Sequence, residues 1–320
     1  MKITFNYLIE IVVIFIIISW LFFIVFQYDH TTPNIITLHN KYNNDQNLKV
    51  MTYNIAHGRG YLSMDEKSFL GRNFNIKSKE ELTSRLNKIS EVVKEQNLDF
   101  LILEEVDFDT SWSFHVDEAK YIAKNAGFSN VVEGIKWSLN LPFLKIRSGN
   151  AILSKYPLVK ASNIKFKSEP WYRKLIGGHS FIAAVYNING QDVQVIATHL
   201  DSDSSKNREQ EAQQIIDHVR ASNLPTILAG DLNSVTPLTK EVNEKMRDKY
   251  PDRTLEMLSK EFNLDYDVMQ PNELFTYSSE NPHRMIDYVL ANKGLKVTSY
   301  EVLNNKHSDH LALVSKVIFT

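Results

Sequence analysis

The sequence Ala229-Gly230-Asp231-Leu232-Asn233-Ser234 directly follows the short apolar run Thr226-Ile227-Leu228. A run of this length, preceded by Pro225, is typical of a buried strand, and the glycine lets the chain turn as it leaves that strand. Asp231 and Asn233 then project from the carboxyl end of the strand, where α/β proteins commonly place ligands. An anionic acceptor beside an amide suits a site that holds a metal or a water and contacts a phosphate oxygen. Because Gly-Asp-x-Asn is also ordinary turn chemistry, the interpretation depends on the rest of the chain.

The composition limits the classes of function that the chain can serve. With 320 residues, of which 43% are hydrophobic and 23% charged, the chain can bury a large core. Its net charge of −2 gives no sign of the basic footprint of nucleic-acid-binding domains, although a metal can meet a phosphate without one. The absence of cysteine excludes disulfides, thiolate metal sites and a cysteine nucleophile.

The N-terminal segment, residues 1–28, carries an apolar run. Ile11 to Tyr28 are 18 consecutive uncharged and mostly apolar positions, which predicts a single transmembrane helix that anchors the chain. A cleaved signal peptide is the alternative, but its apolar region is normally shorter and ends in a small-x-small site, which Ser19-Trp20-Leu21-Phe22 does not supply. Lys2 precedes the run and Asp29 follows it, so the positive-inside rule predicts a single-pass protein of the cell membrane with its main domain outside the cytoplasm.

The remainder of the chain reads as one tethered domain. Residues 29–48 are polar and predict a flexible tether. Residues 49–320 show no internal repeat and no second hydrophobic unit, which indicates a single domain. Within it, many predicted strands alternate with few helices, and this pattern predicts an α+β fold of two packed sheets with helices outside.

Polar side chains with metal-binding or acid–base chemistry recur at the ends of predicted strands. Glu104 and Glu105 are adjacent, so they point to opposite faces and only one of them can enter a site. His199 stands beside Asp201 and is either a surface histidine or an acid–base group. Asp287 lies among apolar neighbours, where an unpaired carboxylate is costly, so another group should meet it. The full set comprises Asn54, Glu105, Asn150, His199, Asp231, Asn233, Asp287, Asp309 and His310.

In this order, seven short segments resemble the motifs of the endonuclease/exonuclease/phosphatase superfamily, which includes pancreatic deoxyribonuclease, apurinic-site endonucleases, neutral sphingomyelinases and inositol-polyphosphate 5-phosphatases. The segments are Thr-Tyr-Asn-Ile at 52–55, Leu-Glu-Glu-Val-Asp at 103–107, Gly-Asn-Ala-Ile-Leu-Ser at 149–154, Thr-His-Leu-Asp at 198–201, Gly-Asp-Leu-Asn at 230–233, Ile-Asp-Tyr-Val at 286–289 and Ser-Asp-His at 308–310. The resemblance implies a four-layer α/β/β/α sandwich of two packed mixed sheets, with the site at one edge.

The resemblance also implies a metal centre. Glu105 would be the principal Mg²⁺ ligand, assisted by Asn54 and Asp309 directly or through water, and Mn²⁺ is the alternative cation. Such oxygen ligands suit a hard cation that keeps several waters.

The remaining roles that the resemblance implies are catalytic. Asp231 would orient or deprotonate the attacking water, and Asn233 would donate to a non-bridging phosphate oxygen. Asp287 would pair with His310, and His199 would contact the phosphate. The reaction would be in-line attack of water on phosphorus, without a covalent intermediate. Asn150 and Arg208 are further predicted to bind the substrate.

Three features depart from the family pattern. Glu104 stands where the family usually has glutamine. The segment Lys145 to Asn150 contains no carboxylate to support His199, unlike the deoxyribonuclease branch, so a single His310–Asp287 pair plus metal is the expected scheme. His57-Gly58-Arg59-Gly60 resembles an extension found in a bacterial subgroup.

Three functions remain open from the sequence. The first is a membrane-anchored, monomeric phosphodiesterase that acts on extracellular nucleic acid or on a phospholipid head group. The second is a phosphomonoesterase on inositol-phosphate-like substrates, which needs basic residues around the pocket; the candidates are Arg147, Arg173, Lys174 and Arg208. The third is a non-catalytic binding protein on the same fold, which the presence of Glu105, Asp231 and His310 disfavours.

Overall fold

The structure of the protein is a computed structural model. It describes residues 5–26, 31–38, 47–60, 76–141, 143–168, 177–236, 252–270 and 273–320. The strands are β1 Asn34–Thr37, β2 Asn47–Asn54, β3 Phe100–Asp107, β4 Asn130–Leu141, β5 Leu144–Ser154, β6 Leu158–Lys165, β7 Ser180–Ile188, β8 Gln191–His199, β9 Thr226–Asp231, β10 Asp287–Ala291, β11 Leu295–Leu303 and β12 Ala312–Phe319. The helices are α1 Phe5–Phe26, α2 Lys79–Glu95, α3 Glu118–Ala126, α4 Ser205–Ser222, α5 Thr254–Leu258 and α6 Tyr266–Met269.

The strands form two mixed sheets, as predicted. The larger sheet has seven strands in the order β1-β4-β5-β3-β2-β12-β11, and the smaller has five in the order β10-β9-β8-β7-β6. In each sheet one pair is parallel, β2 with β3 and β8 with β9, whereas the other neighbours are antiparallel. In each sheet, two adjacent parallel strands therefore end at the same edge. The polar residues at those strand ends are brought together.

The two faces of the larger sheet bury different cores. Alternate residues of β3 separate: Phe100 and Ile102 pack toward the smaller sheet, whereas Leu101 and Leu103 pack against α2 and α3. Helix α4 buries its apolar side, which includes Ile215, in the same cluster as the smaller sheet. Since apolar burial of this extent dominates folding, the sheet-to-sheet contact fixes where the strand ends meet.

Local sequence signals account for several elements. Ser78 is the N-cap of α2, and its hydroxyl accepts from the Glu81 N–H at 3.2 Å, as expected for the capping-box sequence Ser78-Lys79-Glu80-Glu81. Helix α3 begins after Asp117 and ends at Gly127, which has a left-handed backbone. Helix α5 is short, Thr254–Leu258, and residues 237–251 before it lie outside the described residues.

The N-terminal apolar run forms α1, whose described large apolar side chains, among them Ile11, Phe15 and Trp20, are exposed. The predicted transmembrane helix is not supported, because no helix in the part of the chain that the structure describes is both long enough and apolar enough to cross a membrane.

Strand β1 lies inside the segment predicted as a tether. Residues 34–37 pair antiparallel with residues 130–133 of β4, and Ile36 packs against the core beneath α2 and α3. Residues 34–37 of the predicted tether therefore form part of the fold, because their backbone pairs with β4 and Ile36 packs against the core. Residues 39–46 lie outside the described part of the chain.

Because of Glu133 in β4, we expect the stability of the folded protein to depend on pH. It accepts a hydrogen bond from Asn34 at 2.8 Å, and burial, reinforced by the charge of Asp117, raises the pKa of Glu133 to about 8. The folded state thus keeps a proton that the unfolded state loses above about pH 4.3, so stability falls as the pH rises through about 8. Glu133→Gln, which is neutral throughout, should be more stable than the parent at pH 8.5 by at least about 1 kcal/mol, and nearly equal at pH 4.

Denaturant midpoints at the two pH values measure this difference. The same substitution at the exposed Glu301 controls for the general effect of removing a negative charge. An equal effect of Glu133→Gln at both pH values would show that folding does not raise the pKa of Glu133.

Candidate active site

The candidate site lies where the ends of the two parallel strand pairs meet. Asn54 ends β2 and pairs in register with Glu104 of β3, while His199 ends β8 and pairs with Asp231 of β9. The Asn54 amide donates to Asp231 Oδ2 at 3.2 Å, so a hydrogen bond links the two sheets at this edge.

Asp231, Asp287 and His310 form a buried cluster at this edge. The antiparallel pairing of β9 with β10 sets Asp287 opposite Asp231. His310 Nδ1 lies 2.9 Å from Asp287 Oδ2, and His310 Nε2 lies 3.6 Å from Asp231 Oδ2. The three residues are 1%, 0% and 5% exposed, in the order Asp231, Asp287 and His310. The structure thus brings together the predicted histidine–carboxylate pair and places the predicted base against its other nitrogen.

Burial and mutual charge set the protonation of this cluster. For His310, burial alone would lower the pKa, but the charges of Asp287 and Asp231 outweigh it and hold the pKa well above its usual value. For Asp231, burial and then the charge of Asp287 raise the pKa to about 7. At neutral pH the imidazole is therefore charged, while Asp231 readily gains or loses a proton, as a general base requires.

The side chains of the two adjacent glutamates point in different directions, as predicted, because β3 contains a bulge between them and its partner strand. The register of β3 with β5 shifts between Leu103 and Val106, and Glu105 has a φ of 51°. Glu104 is buried and accepts from the Thr52 hydroxyl at 2.8 Å, and burial raises the pKa of Glu104 well above its usual value. The Glu105 side chain is 31% exposed, and its Oε1 lies 3.4 Å from the Asn54 amide nitrogen. Glu105 is therefore the glutamate that the site can use.

Asn233 and Asp309 lie beside the cluster. The Asn233 backbone N–H donates to Asp231 Oδ1 at 2.9 Å, and the Asn233 side-chain amide donates to the Leu200 carbonyl at 3.1 Å. Asn233 therefore holds Asp231 in place and ties β9 to the loop after β8. The Asp309 carboxylate accepts from the Ser308 hydroxyl at 3.4 Å, and its charge contributes to the raised pKa of His310.

Asn150 and His199 carry buried polar atoms that the fold leaves unsatisfied. Neither side-chain polar atom of Asn150, nor His199 Nδ1, has a hydrogen-bond partner within the described ranges of the chain. His199 Nε2 lies 3.7 Å from Asp231 Oδ2, and burial, followed by the charge of Lys136, holds the pKa of His199 well below its usual value. Since an unsatisfied buried polar group costs about 1–3 kcal/mol, such groups are typical of a site that a ligand completes.

Arg208 does not belong to the site, contrary to the prediction that it binds substrate. Its side chain is 0% exposed, and it donates to the Asp201 carbonyl at 2.9 Å and to Asp252 at 3.1 Å. It therefore fastens α4 to the loop after β8 and to the start of α5. Of the other predicted basic residues, Arg147 lies 4.0 Å from Glu133, while Arg173 and Lys174 lie outside the described residues.

His57 is a site residue to which the sequence assigned no role. Its Nε2 lies 3.7 Å from Glu105 Oε2, and its Nδ1 lies 2.8 Å from Asp107 Oδ1. The available signal was its position three residues after Asn54, in a segment without helical or strand periodicity.

Gly230 lies within β9 rather than in a turn after it. Its φ is 147°, and a Cβ at this position would lie 1.8 Å from the Thr198 carbonyl oxygen of β8. We therefore expect Gly230→Ala to destabilise the fold by about 2 kcal/mol or more and to displace Asp231, which lowers any activity of the site. Thermal unfolding measures the first effect. Gly190→Ala, at a φ of 89° but with nothing within 4 Å of the added carbon, is the matched control and should cost only about 1 kcal/mol.

Comparisons with known proteins agree with this geometry. The sequence model of the Endonuclease/Exonuclease/phosphatase family matches residues 51–310. An endonuclease/exonuclease/phosphatase from Beutenbergia cavernae is similar in structure, with a TM-score of 0.62 and 21% identity over 86% of this chain and 72% of that one. The human Nocturnin catalytic domain with bound sulfate gives a TM-score of 0.57 and 18% identity over 90% of this chain and 97% of that one. Truncated Caenorhabditis elegans TDP2 gives a TM-score of 0.54 and 19% identity over 86% of this chain and 98% of that one.

No match was found among curated proteins. The structural likenesses, at these identities, establish the fold, whereas the family match covers most of the chain and includes the whole cluster at the sheet edge. The chain therefore belongs to the endonuclease/exonuclease/phosphatase family, whose members are in general divalent-metal-dependent phosphoesterases.

Proposed function

We propose that this chain hydrolyses a phosphodiester by in-line attack of water, with a divalent cation held at Glu105. The observation that carries the proposal is the buried Asp231–Asp287–His310 cluster, which combines a carboxylate of pKa about 7 with a charged imidazole beside the partly exposed Glu105. An acceptor and a positive donor side by side suit proton transfer and the stabilisation of charge on phosphate oxygens.

The residues at the sheet edge fit a divalent cation. The charges of Asp287 and Asp231 raise the pKa of the buried Glu104, and the charge of Asp287 raises the pKa of Asp231, so several carboxyl groups crowd this edge. Asp287 Oδ1 also has no hydrogen-bond partner in the part of the chain that the structure describes. Glu105 would hold the cation, assisted by Asn54 and Asp309, and such oxygen donors suit Mg²⁺ or Mn²⁺. When bound, the cation neutralises charge on the phosphoryl oxygens.

Residues of the chain itself carry out the proton transfer and hold the phosphate. Asp231, fixed by the Asn54 amide and the Asn233 N–H, accepts a proton from the attacking water as the new P–O bond forms and the bond to the leaving oxygen breaks. His310, kept charged by Asp287, donates to a phosphoryl oxygen. His199 is neutral and contacts the phosphate from the end of β8. Asn150 on β5 offers an amide to the substrate.

The proposed substrates are extracellular nucleic acid or a phospholipid head group, hydrolysed by a monomer attached to the cell membrane. The exposed apolar side chains of α1 support attachment to lipid, since large exposed apolar patches mark interaction surfaces. Flotation of the full chain with vesicles, compared with a variant lacking residues 1–30, tests the attachment. Protease accessibility in intact cells tests the side of the membrane, and recovery of both forms in the soluble fraction would contradict the proposal.

Hydrolysis assays on the detergent-solubilised full chain test the activity. Plasmid DNA, RNA, sphingomyelin vesicles, bis(p-nitrophenyl) phosphate and p-nitrophenyl phosphate are offered with Mg²⁺, Mn²⁺ or EDTA. We expect metal-dependent cleavage of a diester that Glu105→Gln abolishes. Cleavage of the monoester alone would replace the diesterase with a phosphomonoesterase. Metal binding without turnover of any substrate would favour a binding protein on this fold.

A further inference from the structure

A second imidazole–carboxylate pair lies beside Glu105. His57 Nδ1 lies 2.8 Å from Asp107 Oδ1, which occupies one ring nitrogen and directs the other, Nε2, toward Glu105 Oε2 at 3.7 Å. The same arrangement, a carboxylate that orients a histidine through one nitrogen and leaves the other as an electron-pair donor, is widespread around protein-bound metals.

Asp107 is itself held rigidly. Its Oδ2 accepts from the Trp112 indole at 2.9 Å and from Arg59 at 3.3 Å, and its backbone N–H donates to the buried Glu118 carboxylate at 2.9 Å. Because every polar atom of this side chain is engaged, Asp107 has one orientation, and it transmits that orientation to the His57 ring.

The backbone on both sides of the pair adopts an unfavourable conformation. Ala56 and His57 have φ values of 47° and 54°, and Glu105, which faces His57, has a φ of 51°. Non-glycine residues in the left-handed region cost energy and persist where the surrounding structure enforces them, most often at functional sites. Here the strained turn brings the His57 ring against the bulge that presents Glu105.

We propose that His57 Nε2 is a nitrogen ligand of the cation that Glu105 holds, with Asp107 as its positioning residue; this inference rests on the proposed function. Ligands about 2.0–2.2 Å from one ion lie about 3–4 Å from each other, a range that contains the observed Nε2–Oε2 separation of 3.7 Å. An imidazole ligand shifts an otherwise all-oxygen site away from Mg²⁺ and toward Mn²⁺ or a later first-row metal. The centre therefore selects Mn²⁺ over Mg²⁺.

The chain offers a matched control for this pair. His115 has a φ of 59° and its Nδ1 lies 2.8 Å from Asp109 Oδ1, but its side chain is 58% exposed, against 21% for His57. Asparagine tolerates the left-handed region, and its amide can still donate to the partner carboxylate. His57→Asn and His115→Asn therefore change the same ring in the same backbone setting, and only the first removes the nitrogen that faces Glu105.

Electron spin-echo spectroscopy of bound Mn²⁺ tests the ligand directly, because a coordinated imidazole couples its ¹⁴N nucleus to the metal electrons. We expect the full chain loaded with Mn²⁺ to show this coupling, His115→Asn to retain it, and His57→Asn to lose it. The Kd for Mn²⁺ should rise about 10- to 100-fold in His57→Asn. Asp107→Asn should weaken binding and the coupling as well, because its amide oxygen stays with Trp112 and Arg59 while its amide N–H donates to His57 Nδ1, which favours the tautomer that carries a proton on Nε2. Circular dichroism confirms that each variant is folded.

The outcomes separate this inference from the function on which it rests. The parent chain could bind Mn²⁺ without ¹⁴N coupling, and Glu105→Gln could lose that binding. This result would overturn the His57 ligand and leave the proposed hydrolysis intact. Coupling that survives His57→Asn would also overturn it. Failure of the parent chain to bind either Mn²⁺ or Mg²⁺ would overturn both proposals.

Discussion

His310→Asn should lower kcat for the preferred phosphodiester by about 10³-fold with the fold intact. The asparagine amide can replace Nδ1 as a donor to Asp287, which lies 2.9 Å away, but nothing replaces Nε2, which lies 3.6 Å from Asp231. The substitution thus removes the charged N–H that the phosphate needs and keeps the contact that Asp287 needs. Steady-state kinetics measure the change in kcat, and thermal unfolding measures the stability.

His283 supplies the matched control for this substitution. Both rings lie against Tyr277, with centroids 4.9 Å away for His310 and 6.1 Å away for His283, but His283 is exposed. His283→Asn should leave kcat unchanged. A kcat for His310→Asn within about 10-fold of the parent would remove His310 from the chemistry, since acid–base groups contribute at least about 10²-fold.

Asp231→Asn should lower kcat by about 10²- to 10⁴-fold while the protein becomes no less stable at pH 8. Burial and the charge of Asp287 raise the pKa of Asp231 to about 7, so the ionised carboxylate is disfavoured in the fold. Above that pH the ionised carboxylate destabilises the folded state of the parent, whereas the neutral amide of the variant does not. Loss of activity without loss of stability is the signature of a group that the site needs and the fold does not.

Kinetics and thermal midpoints at pH 8 measure both quantities for Asp231→Asn. Asp217→Asn, on the exposed side of α4, controls for the removal of a carboxylate. A variant that keeps near-normal kcat would show that another group accepts the proton. A variant that loses activity and most of its stability together would instead assign Asp231 to the fold.

The elements and the order of the strand ends were largely predictable from sequence. Helices with a capping residue or a terminal glycine follow local rules, so α2 and α3 lie close to where the pattern predicts them. The assembly of Asp231, Asp287 and His310 was expected from the order of the motifs, because that order carries the topology of the family. Nothing local to Asp287 indicates which residue meets it.

The features that sequence did not predict depend on tertiary contacts. Arg208 has the charge of a substrate-binding residue, and only the packing of α4 shows that it is buried against Asp252. Strand β1 has polar flanks, and its edge position depends on β4, almost 100 residues later. His57 precedes a glycine in what reads as a loop, and its importance appears only when Asp107 and Glu105 are seen around it.

The central claim is that water, activated at Asp231, attacks phosphorus in a cation-dependent reaction. A single-turnover reaction of the full chain with its diester in H₂¹⁸O tests this most directly, with the products analysed by mass spectrometry. The account predicts one ¹⁸O atom in the phosphate-containing product, no label in the alcohol, no reaction in EDTA, and a reaction about 10²- to 10⁴-fold slower with Asp231→Asn. Label in the alcohol, or turnover that persists in EDTA, would contradict it.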